Sequence, residues 1–315
     1  MMINVFIDGS AGTTGLRISD RLKDNSEINL LLLPDELRKS PEAIKAMINK
    51  SDITFLCLPD AASREAVTYC ENPDTVIIDT STAHRTNPEW AYGFAELSPL
   101  HRNKIKNSKR IAVPGCHASG FCSVVYPLVA AGIIGADYPV TAHSLTGYSG
   151  GGKNMIKDYT ENKTVYMDSP AQYGLGQTHK HLPEMKTICG LEDYPVFSPI
   201  VSDYYSGMAV TVPLFTKHMK KKMNPQELRQ FYSDYYKDAR LISVLPYDEK
   251  GVEGGFLYAN TLSGKDNMEI IVSGNEDRMV IVSRFCNLGK GASGAAIQCM
   301  NISCGLDEVE GLEIV

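Results

Sequence analysis

Up to residue 80 the chain alternates between short apolar runs and stretches of helical spacing, and few folds accommodate that alternation. The apolar runs are Ile3 to Asp8, Ile28 to Leu33, Ile53 to Leu58 and Val76 to Asp79. A helical pattern through Leu16, Ile18 and Leu22 follows the first run. A helix from Pro41 to Asn49, with Ser40 as N-cap and proline at its first position, follows the second. Ala61 to Cys70 follows the third. The order β-α-β-α-β-α-β predicts an α/β fold with a parallel, doubly wound Rossmann-type sheet. Ligands of such sheets bind beyond the carboxyl ends of the strands.

The first strand end carries Gly9-Ser10-Ala11-Gly12-Thr13-Thr14-Gly15. The spacing is G-x-x-G-x-x-G in a strand, loop and helix context, as dinucleotide binding requires. Gly9 suits the tight turn, Gly12 a close pyrophosphate and Gly15 close helix–strand packing. Ser10, Thr13 and Thr14 join them as expected cofactor contacts at a helix N-terminus. After the second strand, Pro34-Asp35-Glu36-Leu37-Arg38-Lys39 holds both acids and bases. Arg38 and Lys39 suit a 2′-phosphate, hence NADP(H); plain surface charges are the alternative. The fourth strand runs into Thr80-Ser81-Thr82-Ala83-His84-Arg85. Ser81 is expected beside the cofactor. Arg85 could fork onto a phosphate or carboxylate, or be a surface arginine.

Val113-Pro114-Gly115-Cys116-His117-Ala118-Ser119-Gly120 is the most reactive-looking stretch. A hydrophobic run from Arg110 enters a Pro-Gly corner, and an apolar helical segment runs from Phe121 to Ala131. Cys116 is then expected near a helix N-terminus, where unpaired amides and the dipole favour a thiolate nucleophile. The alternative is a buried structural thiol, which is the reading for Cys122. The eight cysteines include no C-x-x-C pair. That predicts a reducing cytoplasm, with no disulfide framework and no zinc site.

Beyond the cysteine segment the pattern changes. Val140 to Leu145 reads as a strand, and Thr146 to Lys153 as a glycine-dense loop containing Ser149 and Gly150. Residues 154–175 read as irregular. In Gln177-Thr178-His179-Lys180-His181-Leu182-Pro183-Glu184, the two histidines would share one face of an extended segment. A metal site is one reading, but a general base partnering the cysteine is preferred. Strand patterns within Val196 to Val212, then Leu241 to Leu245, Glu269 to Ser273 and Met279 to Phe285, flank a helix from Asn224-Pro225 to Tyr236. They predict an inserted α+β domain with a mostly antiparallel sheet. Small residues from Gly289 to Ala296 open a terminal helical stretch to Cys304, expected to return to the nucleotide domain near the cofactor. The domain expectation is 1–116 with 288–315, and 117–287.

The net charge of −6 opposes nucleic-acid binding, which needs a basic surface. No run reaches the about 18 apolar residues of a membrane span. The first residues lack a signal peptide's pattern.

Taken together, Gly9-x-x-Gly12-x-x-Gly15, Pro114-Gly115-Cys116, His179-x-His181-x-Pro183-Glu184 and Lys290-Gly-Ala-Ser-Gly-Ala-Ala resemble the N-acetyl-gamma-glutamyl-phosphate reductase family, most closely its shorter, type 2 form. The resemblance runs from residue 3 to about residue 304. It implies NADPH-dependent reduction of an acyl phosphate to a semialdehyde in arginine biosynthesis; a homo-oligomer (dimer or tetramer) is expected. It further implies Cys116 as nucleophile and His181 as acid/base. Arg85, Ser149, Gly150, Tyr173 and His179 would lie at the substrate, and Lys290 and Gly291 near the cofactor. The Cys-Tyr-Pro-Thr turn of the family is Cys116-His117-Ala118-Ser119 here, so residues after the cysteine inherit no role. An aspartate-semialdehyde dehydrogenase or related acyl-phosphate reductase is the alternative enzyme. A non-catalytic NADP-binding sensor or scaffold is the alternative of another class.

Overall fold

Strand β1 (Ile3–Asp8) pairs in parallel with β2 (Ile28–Leu31) and with β3 (Ile53–Leu56), and β4 (Val76–Asp79) pairs with β3. Short strands β5 (Ala91–Tyr92) and β6 (Arg110–Ala112) complete a six-stranded sheet of order β2-β1-β3-β4-β6-β5, parallel throughout. The expected doubly wound sheet is therefore present, and side-chain alternation along each strand explains its two cores. Val5, Ile7, Phe55 and Ile78 cluster with α1 (Thr13–Leu22) through Ile18 and Leu22, with α4 (Pro99–Asn107) through Ile105, and with the terminal helix Gly294–Cys304. Phe6, Leu56 and Ile77 point the other way, toward Ile48 of α2 (Pro41–Lys50) and Ala66 of α3 (Asp60–Thr68). Ser40 caps α2 by accepting a hydrogen bond from the Ala43 amide.

This computed structural model describes residues 2–248 and 253–315. The six-stranded sheet belongs to one compact unit, Met1–Gly115 with Ala292–Leu312; the second comprises Cys116–Gly291 with Glu313–Val315. Cys116, residues 288–291 and the last three residues thus lie with the second unit, whereas the sequence reading grouped them with the first. Glu313 is fixed there by reciprocal bonds with Asp266.

The second unit opens with α5 (Cys116–Ala130), followed by β7 (Thr141–Gly147), α6 (Gly152–Glu161), β8 (Ala171–Gln172) and α7 (Leu182–Cys189). Then come β9 (Val196–Ser202), β10 (Met208–Phe215), α8 (Pro225–Tyr235), β11 (Ile242–Val244), β12 (Met268–Gly274) and β13 (Arg278–Phe285). They form a seven-stranded mixed sheet, order β11-β12-β13-β10-β7-β9-β8, in which four pairings are antiparallel and two parallel. Helix α6 corrects the expectation of irregular structure over 154–175. Its apolar stripe is only Met155, Ile156 and Tyr159, and Tyr159 stacks on Tyr148 with ring centroids 4.6 Å apart. So short a stripe is easily hidden by the polar residues around it.

Helix α5 is buried almost throughout, although it contains Pro127. Proline has no N–H for the carbonyl four residues earlier, here Ser123. The Tyr236 hydroxyl donates to that carbonyl at 2.6 Å, and Tyr232 donates to the Val124 carbonyl at 2.7 Å. The Tyr236 phenol thus satisfies the acceptor that the proline leaves open, and Tyr232 adds a bond to the next carbonyl. Tyr236→Phe should cost about 1–3 kcal/mol in urea unfolding, the penalty for a buried acceptor without its donor. In a Pro127→Ala background the same change should cost clearly less.

Candidate active site

In the first unit, the chain turns at Gly9 with φ +81°, where a Cβ would strike the Cys57 carbonyl. Only glycine makes this turn without strain. Gly12 caps α1 without a side-chain hydrogen bond, a helix start suited to an anion beside Thr13 and Thr14. Gly15 is buried in the same helix. A cavity of about 270 Å³ opens here, lined by Asp8, Gly9, Ser10, Leu31, Arg38 and Lys39 among others. Burial pushes the Asp8 carboxyl up to about 6, against the lowering effect of its bond with the Gly9 backbone. The residues fit a dinucleotide: an apolar wall for a base, a glycine turn for pyrophosphate, and two cations for a 2′-phosphate. Sequence reasoning passed over Asp8 because it counted as a strand residue.

The exit of β4 is a buried hydrogen-bonded knot. Asp79 is buried and accepts from the Ser81 amide at 2.9 Å, the Ser81 hydroxyl at 2.8 Å and His84 Nδ1 at 2.7 Å. The His84 ring stacks on Trp90, centroids 4.0 Å apart. Ser81 therefore spends its hydroxyl on this knot. Arg85 is buried, which removes the surface-arginine reading. Its Nε donates to the Val113 carbonyl at 2.8 Å and its Nη2 to the Thr80 carbonyl at 2.9 Å. The Val113 amide donates to the Asp79 carbonyl at 2.8 Å, so the residue before Pro114 is held from both sides.

In the second unit, Cys116 is the first residue of α5. Among its neighbours, the His117 ring lies 5.5 Å from His181, 5.4 Å from His179 and 5.3 Å from Phe197. Tyr173 reaches His117 Nε2 through its oxygen at 2.7 Å, and the charge of Cys116 adds to burial in holding the phenol well above its usual range. His179 and His181 do not share an extended strand. The Leu182 amide donates to the His179 carbonyl at 2.9 Å, a turn that leads into α7 with His181 as its N-cap. Pro183 at the helix start favours that turn. The two rings meet edge to face at 4.8 Å, and the His181 amide donates to His179 Nδ1 at 3.2 Å. Accepting there fixes His179 as the neutral tautomer with its proton on Nε2, consistent with burial and Lys180 lowering its pKa. His181 is buried beside it.

Gly291 lies against Cys116: a Cβ there would stand 2.9 Å from the Cys116 Cβ. Its amide donates to the Cys286 carbonyl at 3.0 Å, and Lys290 is buried beside it. Asn287, in the same turn, donates to the Ser149 hydroxyl at 3.1 Å and accepts from the Gly207 amide at 2.9 Å. Gly150 follows in a short helical turn, 148–151. The second unit therefore gathers Cys116, Tyr173, His179 and His181, and ties Ser149 to the turn that carries Lys290 and Gly291. Sequence reasoning missed His117, Ser144 and Asn287. The strand alternation that turns Ser144 inward was its one available signal. Among the described residues no group of His, Cys, Asp and Glu is arranged to hold a metal, and all eight cysteines are free thiols. No helix among them is long and apolar enough to cross a membrane.

Residues 34–108 match the family described as semialdehyde dehydrogenase, NAD binding domain, and residues 116–287 match semialdehyde dehydrogenase, dimerisation domain. An N-acetyl-gamma-glutamyl-phosphate reductase 2 from Nostoc sp. is 39% identical over 98% of both chains. One from Pseudomonas putida is 38% identical, again over 98% of both. Aspartate semialdehyde dehydrogenase II of Vibrio cholerae, solved with ASA, has a TM-score of 0.74 at 15% identity, covering 97% of this chain and 99% of that one. The Candida albicans aspartate semialdehyde dehydrogenase, solved with NADP, has a TM-score of 0.64 at 13% identity, covering 96% and 98%. Those two structures share the fold; the reductases share sequence from end to end, and the chain belongs to the N-acetyl-gamma-glutamyl-phosphate reductase family.

Proposed function

We propose that this chain reduces N-acetyl-L-glutamyl 5-phosphate to N-acetyl-L-glutamate 5-semialdehyde with NADPH, releasing phosphate, as a cytoplasmic step of arginine biosynthesis. The observation that carries the reading is Cys116 at the start of a buried helix, grouped with Tyr173, His179 and His181, in a chain of this family. An aspartate substrate has support only from fold-level likeness at 15% identity. A non-catalytic sensor would have no need of this cluster. The match to a dimerisation domain supports a homo-oligomer, a dimer or tetramer.

The Cys116 thiol gives its proton to His181, and the sulfur attacks the acyl carbon. A C–S bond forms, the bond to phosphate breaks, and a thioester remains. Bound NADPH supplies the hydride that reduces it. Amides of the first turn of α5 are suited to the oxyanion that forms on the carbon bound to sulfur. As that intermediate collapses, sulfur leaves and takes back the proton from His181. Ser149 and His179 serve the substrate, as does Gly150. In the first unit Gly9, Ser10, Gly12, Thr13, Thr14 and Gly15 would hold the pyrophosphate, and Arg38 with Lys39 the 2′-phosphate. Arg85, bound to the Val113 and Thr80 carbonyls, braces the turn before Cys116 in this reading, in place of gripping phosphate.

The test is phosphate-dependent reduction of NADP⁺ with N-acetylglutamate semialdehyde, run beside aspartate semialdehyde. Activity should follow the first substrate and vanish in Cys116→Ser, while NADP⁺ binding persists. His181→Asn should lower kcat on the order of 10²–10⁴-fold; a change confined to KM contradicts its acid/base role. Gly291→Ala should reduce kcat, because the added methyl would stand 2.9 Å from the Cys116 Cβ. Asp8 gives a pH test. Its carboxyl is protonated below about 6 and charged above, so a like charge beside the phosphates appears as pH rises. Asp8→Asn should tighten NADP⁺ binding roughly fivefold at pH 8, with little effect at pH 5. Equal effects at both pH values would contradict this.

A further inference from the structure

The residue after the nucleophile has no role in the mechanism above, yet it is a buried titratable group directly beside Cys116. His117 is 3% exposed. Its Nδ1 lies 2.7 Å from the Ser144 Oγ and its Nε2 2.7 Å from the Tyr173 oxygen. Burial, with His179 adding to it, pushes the imidazole down to about 3, so the ring is neutral at any working pH. A neutral imidazole carries one N–H and offers one acceptor, which leaves two possible directions for the chain of bonds.

Ser144 decides between them. It is fully buried on β7, and among the described residues His117 is the hydrogen-bond partner of its hydroxyl. With the proton on Nδ1, Ser144 would accept and its own O–H would face a dry interior unpaired, at the cost of desolvating a polar group. With the proton on Nε2, Ser144 donates to Nδ1 and His117 donates to the Tyr173 oxygen. Every polar atom is then used, and the Tyr173 hydroxyl proton is left for a different acceptor.

We propose that Ser144, His117 and Tyr173 form a one-directional hydrogen-bond chain that makes Tyr173 a donor to the acyl oxygen of the substrate, with His117 as its positioning residue. That oxygen becomes an oxyanion on the carbon joined to the Cys116 sulfur. The Tyr173 phenol lies near enough for the charge of Cys116 to act on it, and it keeps its proton because its pKa is raised. A donor fixed in advance at the site of developing charge is what stabilises such an intermediate. The inference rests on Cys116 being the nucleophile of the proposed reaction.

Imidazole ¹⁵N NMR of the free wild-type enzyme reads the tautomer without any turnover. An Nε2–H, Nδ1-unprotonated ring for His117 is expected; the opposite tautomer overturns the chain while leaving the proposed reaction standing. Kinetics with the acyl-phosphate pair supplies the second readout. Tyr173→Phe should lower kcat on the order of 10²-fold with little change in KM. His117→Leu should do the same, and the double variant should be no worse than Tyr173→Phe alone. His117→Gln, which keeps an N–H near the ε position, should recover most of the loss. Additive losses, or losses confined to KM, would overturn the proposal. Should His117→Leu fail to fold, the wild-type spectrum and Tyr173→Phe still decide. If Cys116→Ser remains active, the proposed reaction itself fails, whatever the tautomer.

Discussion

The close packing of α5 on the seven-stranded sheet is the contact on which the second unit depends. A Cβ at Gly120 would run into Val210 of β10 and Phe285 of β13, so the helix lies flush where a glycine stands. Burial on that scale puts Cys116 and His117 at the mouth of the helix, with β7 and β9 below. Ser144 and Phe197 then face the helix by simple strand alternation. Pro127 would weaken so buried a helix, but the Tyr236 hydroxyl at the end of α8 takes the carbonyl that the proline leaves open. Packing, hydrogen bonding and chemistry are thus settled by the same few residues.

The first unit solves a different problem, that of presenting charge to a nucleotide without a large basic surface. The cavity sets Arg38 and Lys39 opposite a glycine turn and an uncapped helix start. Arg38 also pairs with Asp35 at 2.8 Å, but so exposed a pair holds it only loosely. Asp8 sits in the same cavity as a buried acid. At the strand end of β4, by contrast, Asp79 holds His84, which stacks on Trp90, and Arg85 donates to two backbone carbonyls. A hydroxyl and an arginine at a strand exit are as useful for shaping a loop as for binding a ligand.

Much of this was legible in the residues. The β-α alternation announced the parallel sheet, because each apolar run is bounded by turn residues and Ser40 caps α2. The strands of the second sheet were legible for the same reason, except β8, a two-residue edge strand within the stretch read as irregular. Helix α6 was not, since its stripe of three apolar residues is masked by charge. The turn at His179 and His181 was not, because a two-residue spacing suggests a shared face only if the segment is extended, and Pro183 starts a helix there. His117 was invisible for another reason. Its importance lies in Ser144 and Tyr173, 27 and 56 residues away, which only the folded chain brings to its two nitrogens.

The central claim is that Cys116 carries the acyl group as a thioester. Its most direct test runs the reaction backwards without phosphate. Enzyme mixed with N-acetylglutamate semialdehyde and NADP⁺ should form NADPH in a burst stoichiometric with active sites and then stall. Peptide mass spectrometry should find the acyl group on Cys116. Steady turnover with phosphate but no burst without it, or an adduct on another cysteine, would contradict the account.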